Sequence, residues 1–119
     1  MTQIKESSTH NYNKERAINK CPINFVMSKI GGYWKPLIIY QLMSGPKRYS
    51  ELRRAIPDVT EKMLIQHLKQ LEADDLVIRE AKPVVPPFVT YSLSASGREL
   101  SHTLEAMAEW GLRYNTEAL

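Results

Sequence analysis

Between Ser50 and Glu72 the chain places two helix starts and one helix stop so close together that few folds can hold them. Ser50 is a good N-cap, because its hydroxyl can accept from a free amide of the first turn. Pro57 ends the helix that follows, since it disfavours the α conformation at Ile56 and has no N–H to give. Thr60 is a second N-cap, and Glu61 puts a negative charge where the helix dipole favours it. The joint, Pro57-Asp58-Val59, is too short for the two helices to do anything but cross, which is the outline of a helix-turn-helix.

The second helix sorts by face. Leu64, Leu68 and Leu71 recur at i, i+4, i+7 and make one apolar stripe. Lys62, Gln66 and Lys69 fall opposite, with Met63, Ile65 and Gln70 on the flanks. Side chains of this kind reach base edges and phosphates: Gln bridges adenine, and Lys meets guanine or phosphate. For one helix alone a solvated face is the commoner explanation, because most helices are amphipathic for packing reasons. The neighbouring segments decide between the two.

A chain of 119 residues is one domain by length. Its net charge of +3 is mildly basic and says nothing about nucleic acid without clustering. One cysteine excludes an intrachain disulfide and suits a reducing compartment. No apolar run is long enough to span a membrane, and the first residues lack the apolar core of a secretory signal. The expected location is cytoplasmic.

Residues 1–20 are polar and form an N-terminal arm, with a helical turn around Asn13 to Ile18; the domain proper is 21–119. Cys21-Pro22 opens a helix carrying Ile23, Val26, Met27 and Ile30 at helical spacing, and Gly31-Gly32 ends it. A second apolar helix runs from near Tyr33 to about Ser44, with Pro36 in its first turn and Gly45-Pro46 after it. Lys47-Arg48-Tyr49 is an extended link into the Ser50 cap. Beyond the helix-turn-helix, Leu76 to Glu80 and Phe88 to Leu93 read as two strands, joined by a stiff loop with Pro83, Pro86 and Pro87. They form a wing, with Arg79 and Lys82 placing positive charge near its tip. Ser94 then caps a long helix to about Tyr114. Leu100, Leu104, Met107, Gly111 and Tyr114 follow the 4-3-4-3 spacing of a helix-pairing seam, with Trp110 beside it. Such a stripe either packs on its own domain or pairs with a partner; pairing is preferred, because the helix has more apolar face than a small domain covers. The fold class is mostly α (α+β): a winged helix-turn-helix with a two-stranded wing and N- and C-terminal dimerisation helices.

This order of elements resembles the HxlR-type winged helix-turn-helix transcription regulators, distant relatives of the MarR group. The resemblance covers about Cys21 to Tyr114. It is carried by Cys21-Pro22, Gly31-Gly32-Tyr33-Trp34, Arg48-Tyr49-Ser50-Glu51-Leu52 and Thr60-Glu61-Lys62-Met63-Leu64. Further matches are Leu68, Leu71-Glu72, Leu76-Val77, Arg79, Pro86-Pro87, Tyr91-Ser92-Leu93, Gly97 and Trp110. Two positions depart from the pattern. Asp74-Asp75-Leu76 stands where the family has Asp-Gly-Leu, and Asp tolerates the left-handed turn better than most residues. Phe88 stands where a basic residue is common, which leaves Arg79 and Lys82 to meet the phosphates.

The resemblance implies a homodimer on a pseudo-palindromic double-stranded operator, acting as a repressor. Lys62, Met63 and Gln66 are expected in the major groove. Ser50, Thr60, Lys69, Arg79 and Lys82 are expected on phosphates. Ile23, Met27, Leu100, Leu104, Met107, Trp110, Gly111 and Tyr114 are expected at the dimer interface. Cys21, at a helix start beside Lys20, is placed where thiolate is favoured. It is either a sensor of oxidants or electrophiles, as in a related group of regulators, or a small structural residue. No cofactor and no metal set is expected: His10, His67 and His102 have no ligand spacing with Cys21. No nucleophile–base pair or phosphate loop asks for an enzyme. The competing readings are a winged-helix adaptor that binds protein without DNA, and a regulator answering to a small-molecule ligand.

Overall fold

The computed structural model describes residues 20–117. The chain divides into two compact units, one ending at Gly32 and one beginning at Tyr33. The expected arm, with its turn around Asn13 to Ile18, lies outside the described residues apart from Lys20. In the first unit, helix α1 (Pro22–Ile30) starts as expected, with Cys21 as N-cap and Pro22 at its first position, where a missing N–H costs nothing. Its end is closed by the Gly31 N–H, which donates to the Met27 carbonyl at 2.7 Å. Ile23, Phe25 and Met27 are exposed.

The second unit begins with α2 (Trp34–Leu42), whose Pro36 sits in the first turn. Gly45, at φ +135°, turns the chain in a way an L side chain resists. Lys47 then makes an isolated antiparallel bridge to Tyr91: each residue's N–H donates to the other's carbonyl, at 2.9 and 2.8 Å. This bridge corrects one expectation. Helix α3 (Tyr49–Ala55) starts two residues early, with Arg48 as N-cap and Ser50 inside the first turn. The Arg48 N–H is satisfied by the Glu51 carboxylate at 2.7 Å. Arg has no acceptor to return the bond, so the charge on Glu51 does the capping that a Ser hydroxyl was expected to do.

Ile56 and Val59 are buried in the joint, and α4 (Glu61–Ala73) follows with Thr60 as N-cap, its Oγ1 accepting from Met63 N–H at 3.2 Å. The far end of α4 closes in a Schellman arrangement. The Leu76 N–H donates to the Leu71 carbonyl at 2.9 Å, and the Asp75 N–H to the Glu72 carbonyl at 3.0 Å. Asp75 takes the left-handed position, φ 58°, and Leu71 and Leu76 supply the buried apolar contact that usually accompanies this cap.

Strands β1 (Val77–Lys82) and β2 (Phe88–Leu93) pair antiparallel from Val77↔Leu93 to Lys82↔Phe88. β1 therefore runs two residues past the expected Glu80 and stops only where Pro83 removes a donor. Helix α5 (Ala95–Tyr114) begins at its expected cap: Ser94 Oγ accepts from the Gly97 N–H at 3.0 Å. The Ser94 and Ser96 hydroxyls both donate to the Asp75 carbonyl, at 2.6 and 2.7 Å. The Ser94 N–H donates to the Leu76 carbonyl at 3.0 Å. The end of α4, the base of the wing and the start of α5 thus meet at one node.

The core of this unit is built by α2 packing on α3, α4, α5 and β2. Ile38, Ile39, Leu52, Leu64, Leu68 and Leu71 are fully enclosed. Leu104 corrects a second expectation. It is only 6% exposed within the single chain, so it packs in the chain's own core. Leu100 and Gly111 are half-buried. A 4-3-4-3 stripe on a helix laid across its own domain looks the same in sequence as one laid against a partner.

Candidate nucleic-acid interface

The two faces of α4 separate completely. Leu64, Leu68 and Leu71 are core, while Lys62, Ile65, Gln66 and Lys69 are exposed at i, i+3, i+4 and i+7. Ile65 was placed on a flank by the sequence, yet it is 39% exposed and lies within the polar stripe. An apolar side chain there is suited to a thymine methyl. Met63 is half-buried beside the Thr60 cap. Ser50 and Thr60 are both exposed, each at the start of one helix of the pair. Thr60 keeps its hydroxyl hydrogen for an outside acceptor, since it accepts from Met63 rather than donating.

The wing departs from expectation in where it carries charge. Lys82 and Phe88 are the last ladder pair, so the tip is Pro83, Val84, Val85, Pro86 and Pro87, wholly apolar, with Val85 fully exposed. Arg79, paired with Tyr91, sits three positions down the strand from Lys82. An odd separation puts the two side chains on opposite faces of the ribbon, so they do not form one patch. What gathers with Lys82 instead is Arg48. The Arg48 guanidinium carbon lies 4.5 Å from the centre of the Phe88 ring, and the Lys82 ammonium 5.5 Å. Arg48 was not among the expected contact residues, and no local spacing could have found it, because it reaches Phe88 through the Lys47–Tyr91 bridge.

His67 lies at the edge of the buried face of α4, half-buried, with its Nδ1 enclosed and unpartnered. Its pKa is held below the ordinary histidine value, first by burial and then by the nearby charge of Lys35, against a raising hydrogen bond with Gln70. Among the described residues no group of three or more His, Cys, Asp or Glu is placed to hold a metal ion. Nor is any described helix long and apolar enough to cross a membrane.

Of the expected interface residues, Met107 and Trp110 on α5 are each 60% exposed, and Tyr114 is exposed too; the Trp110 and Tyr114 rings lie 5.0 Å apart. Between α5 and α2, an apolar groove of about 430 Å³ is lined by Leu37, Tyr40, Met107 and Leu112 among others. Ile23 and Met27 on α1 are exposed. Cys21 is half-buried, and its side chain takes no cap hydrogen bond.

Comparison with known proteins agrees with this geometry. A family model described as HxlR-like helix-turn-helix matches residues 29–118. The chain is 48% identical over 94 residues to YkvN, an uncharacterized HTH-type transcriptional regulator of Bacillus subtilis (strain 168), covering 79% of this chain and 80% of that protein. Among solved structures, the redox regulator HypR in its oxidized form superposes with a TM-score of 0.77 at 43% identity, covering 80% of this chain and 98% of that one. Diamide-treated YodB from B. subtilis gives 0.67 at 37% identity, covering 79% and 94%.

Proposed function

The chain belongs to the HxlR-like helix-turn-helix family and is a transcriptional regulator of the HxlR/MarR type, and from that premise we propose that it binds a two-fold related double-stranded operator as a cytoplasmic homodimeric repressor. The observation that carries this reading is the stripe Lys62, Ile65, Gln66, Lys69, fully presented on a helix whose opposite face is core. Lys62, Met63, Ile65 and Gln66 meet base edges in the major groove. Ser50, Thr60, Lys69, Arg79 and Lys82 fix the register on phosphates. Ile23, Met27, Met107, Trp110 and Tyr114 carry the subunit pairing, with Leu100 and Gly111 at its margin. Pairing sets the two recognition helices about one DNA turn, roughly 34 Å, apart.

The test is binding to DNA from upstream of the chain's own gene, measured across salt. Gln66→Ala should weaken binding by about 1–3 kcal/mol and relax preference at one base pair per half-site. Lys69→Ala should weaken all sequences alike and reduce the salt slope by about one unit. A wild-type protein with no salt-sensitive specific complex overturns the reading and favours a protein-binding adaptor.

Oxidant response through Cys21 is the second part of the proposal. It is supported by the lone thiol at the start of α1 and by the likeness to HypR and YodB, structures described as oxidized and as diamide-treated. With one Cys per chain, two subunits' thiols can join as one disulfide, their two protons and two electrons passing to an oxidant such as diamide. Alternatively a small disulfide exchanges onto one sulfur, or a quinone alkylates it. Diamide treatment should release DNA from the wild type and not from Cys21→Ser; equal behaviour of the two proteins removes Cys21 from the mechanism.

A further inference from the structure

We infer that Phe88 is a positioning residue for DNA-backbone binding: its ring gathers Arg48, from the start of α3, and Lys82, from the end of β1, into one phosphate-contacting pair. This rests on the DNA-binding reading above and adds to it a residue that carries no charge. Three observations place the pair. Lys82 is the direct cross-strand partner of Phe88. The Lys47–Tyr91 bridge ties the preceding loop to β2, so that Arg48 emerges alongside the strand. Both cationic groups then lie within the range of about 6 Å over which a ring face attracts a cation. Lys47 does not join them, because its ammonium is engaged with Ser44 Oγ at 3.0 Å. The Glu51 carboxylate is occupied by the Arg48 backbone N–H.

The chemistry suits a phosphodiester. A carboxylate partner would take the same N–H donors that a phosphate needs. A ring face engages the charge through its quadrupole and leaves the donors at the guanidinium edge open. Arg and Lys each carry large rotamer freedom, which binding must remove. Held over one ring, they have lost part of it beforehand, so less is lost on contact with DNA. Phe88 is 37% exposed and outside the core, so replacing it should leave the fold intact.

The experiment measures binding of the upstream duplex and of an unrelated duplex across a salt series, for wild type, Phe88→Leu, Phe88→Tyr, Arg48→Ala and the Phe88→Leu/Arg48→Ala pair. Phe88→Leu should weaken both duplexes by the same factor, about 3–10-fold, with the salt slope unchanged, because no charge is lost. Arg48→Ala should lower the slope by about one unit. The double variant should be weaker than Arg48→Ala by less than the Phe88→Leu factor, and Phe88→Tyr should bind like wild type. In the free protein, the Arg48 side-chain protons should show ring-current shifts that vanish in Phe88→Leu, a readout that needs no DNA. Wild-type affinity in Phe88→Leu, or full additivity in the double variant, overturns the inference while leaving DNA binding in place. A wild type that binds neither duplex removes both.

Discussion

Gly97 gives the sharpest test of the packing logic, because helix propensity and steric contact point in opposite directions there. The residue lies in the first turn of α5, where alanine would ordinarily gain about 1 kcal/mol over glycine. A Cβ on Gly97, however, would sit 2.1 Å from the Leu76 carbonyl oxygen and 3.1 Å from its carbon, against a floor of 3.0 Å for real contacts. The obstacle is backbone, so α5 and the base of β1 must part by nearly 1 Å. The Leu76 carbonyl is also the acceptor for the Ser94 N–H at 3.0 Å, a bond that such a shift would break. Overpacking of this kind costs about 1–3 kcal/mol, and the lost hydrogen bond about 1 kcal/mol more. Set against the propensity gain, Gly97→Ala should destabilise by about 2 kcal/mol net, lowering Tm by roughly 8 °C or more. The control is in the same helix: a Cβ at Gly111 meets nothing within 4 Å, so Gly111→Ala should stabilise by about 0.5–1 kcal/mol. The measurement is denaturant and thermal unfolding of both variants. Gly97→Ala as stable as Gly111→Ala would refute the close approach of α5 to Leu76.

Asp75→Gly removes the Cβ from a left-handed residue and should stabilise by about 0.5–1 kcal/mol, seen as a higher denaturant midpoint; a drop would mean the Asp side chain contributes more than its strain costs. His67 has a folded pKa depressed by burial and by Lys35, despite Gln70. Its contribution is therefore full above the unfolded value of about 6.5 and declines as pH falls from there toward the lower folded value. His67→Gln should flatten that part of the stability-against-pH curve, and an unchanged curve assigns it to other groups. Met107→Glu should fold but sediment as a monomer, because a charge is costly in an apolar seam, whereas Leu104→Glu should fail to fold. A folded Met107→Glu dimer would move the interface away from α5.

What the sequence showed was whatever short range decides. The Thr60 cap, the Leu64–Leu68–Leu71 stripe and the Ser94 cap each follow from residues within one or two helical turns, and each stands in the structure where expected. Asp75 could be placed in a left-handed turn because few other residues tolerate one. Ser50 lost its cap to Arg48 because the link before it is pinned by Tyr91, a partner far along the chain. Leu104 was assigned to the partner because heptad spacing records that a face is apolar and not what covers it. Arg48 and Ile65 escaped for related reasons. One acts through a ring brought close by strand register, and the other is an apolar residue whose exposure only the packed helix reveals.

The node at Asp75 and Leu76 has a mechanical consequence. Two serine hydroxyls, one backbone amide and the tight seat of Gly97 fasten the start of α5 to the end of α4, and the wing's first ladder pair springs from the same place. Little is left there to act as a hinge. α5 then works as a stiff lever about 30 Å long, from its 20 residues at about 1.5 Å each, with α4 clamped at its fulcrum. A tilt of about 5° imposed near Tyr114 would carry that end through roughly 2–3 Å at this lever length and turn α4 through the same angle. The two helices would move together, so a displacement at the far end of α5 reaches α4 without the melting of any element, through nothing more than a change in the angle at which that end is held.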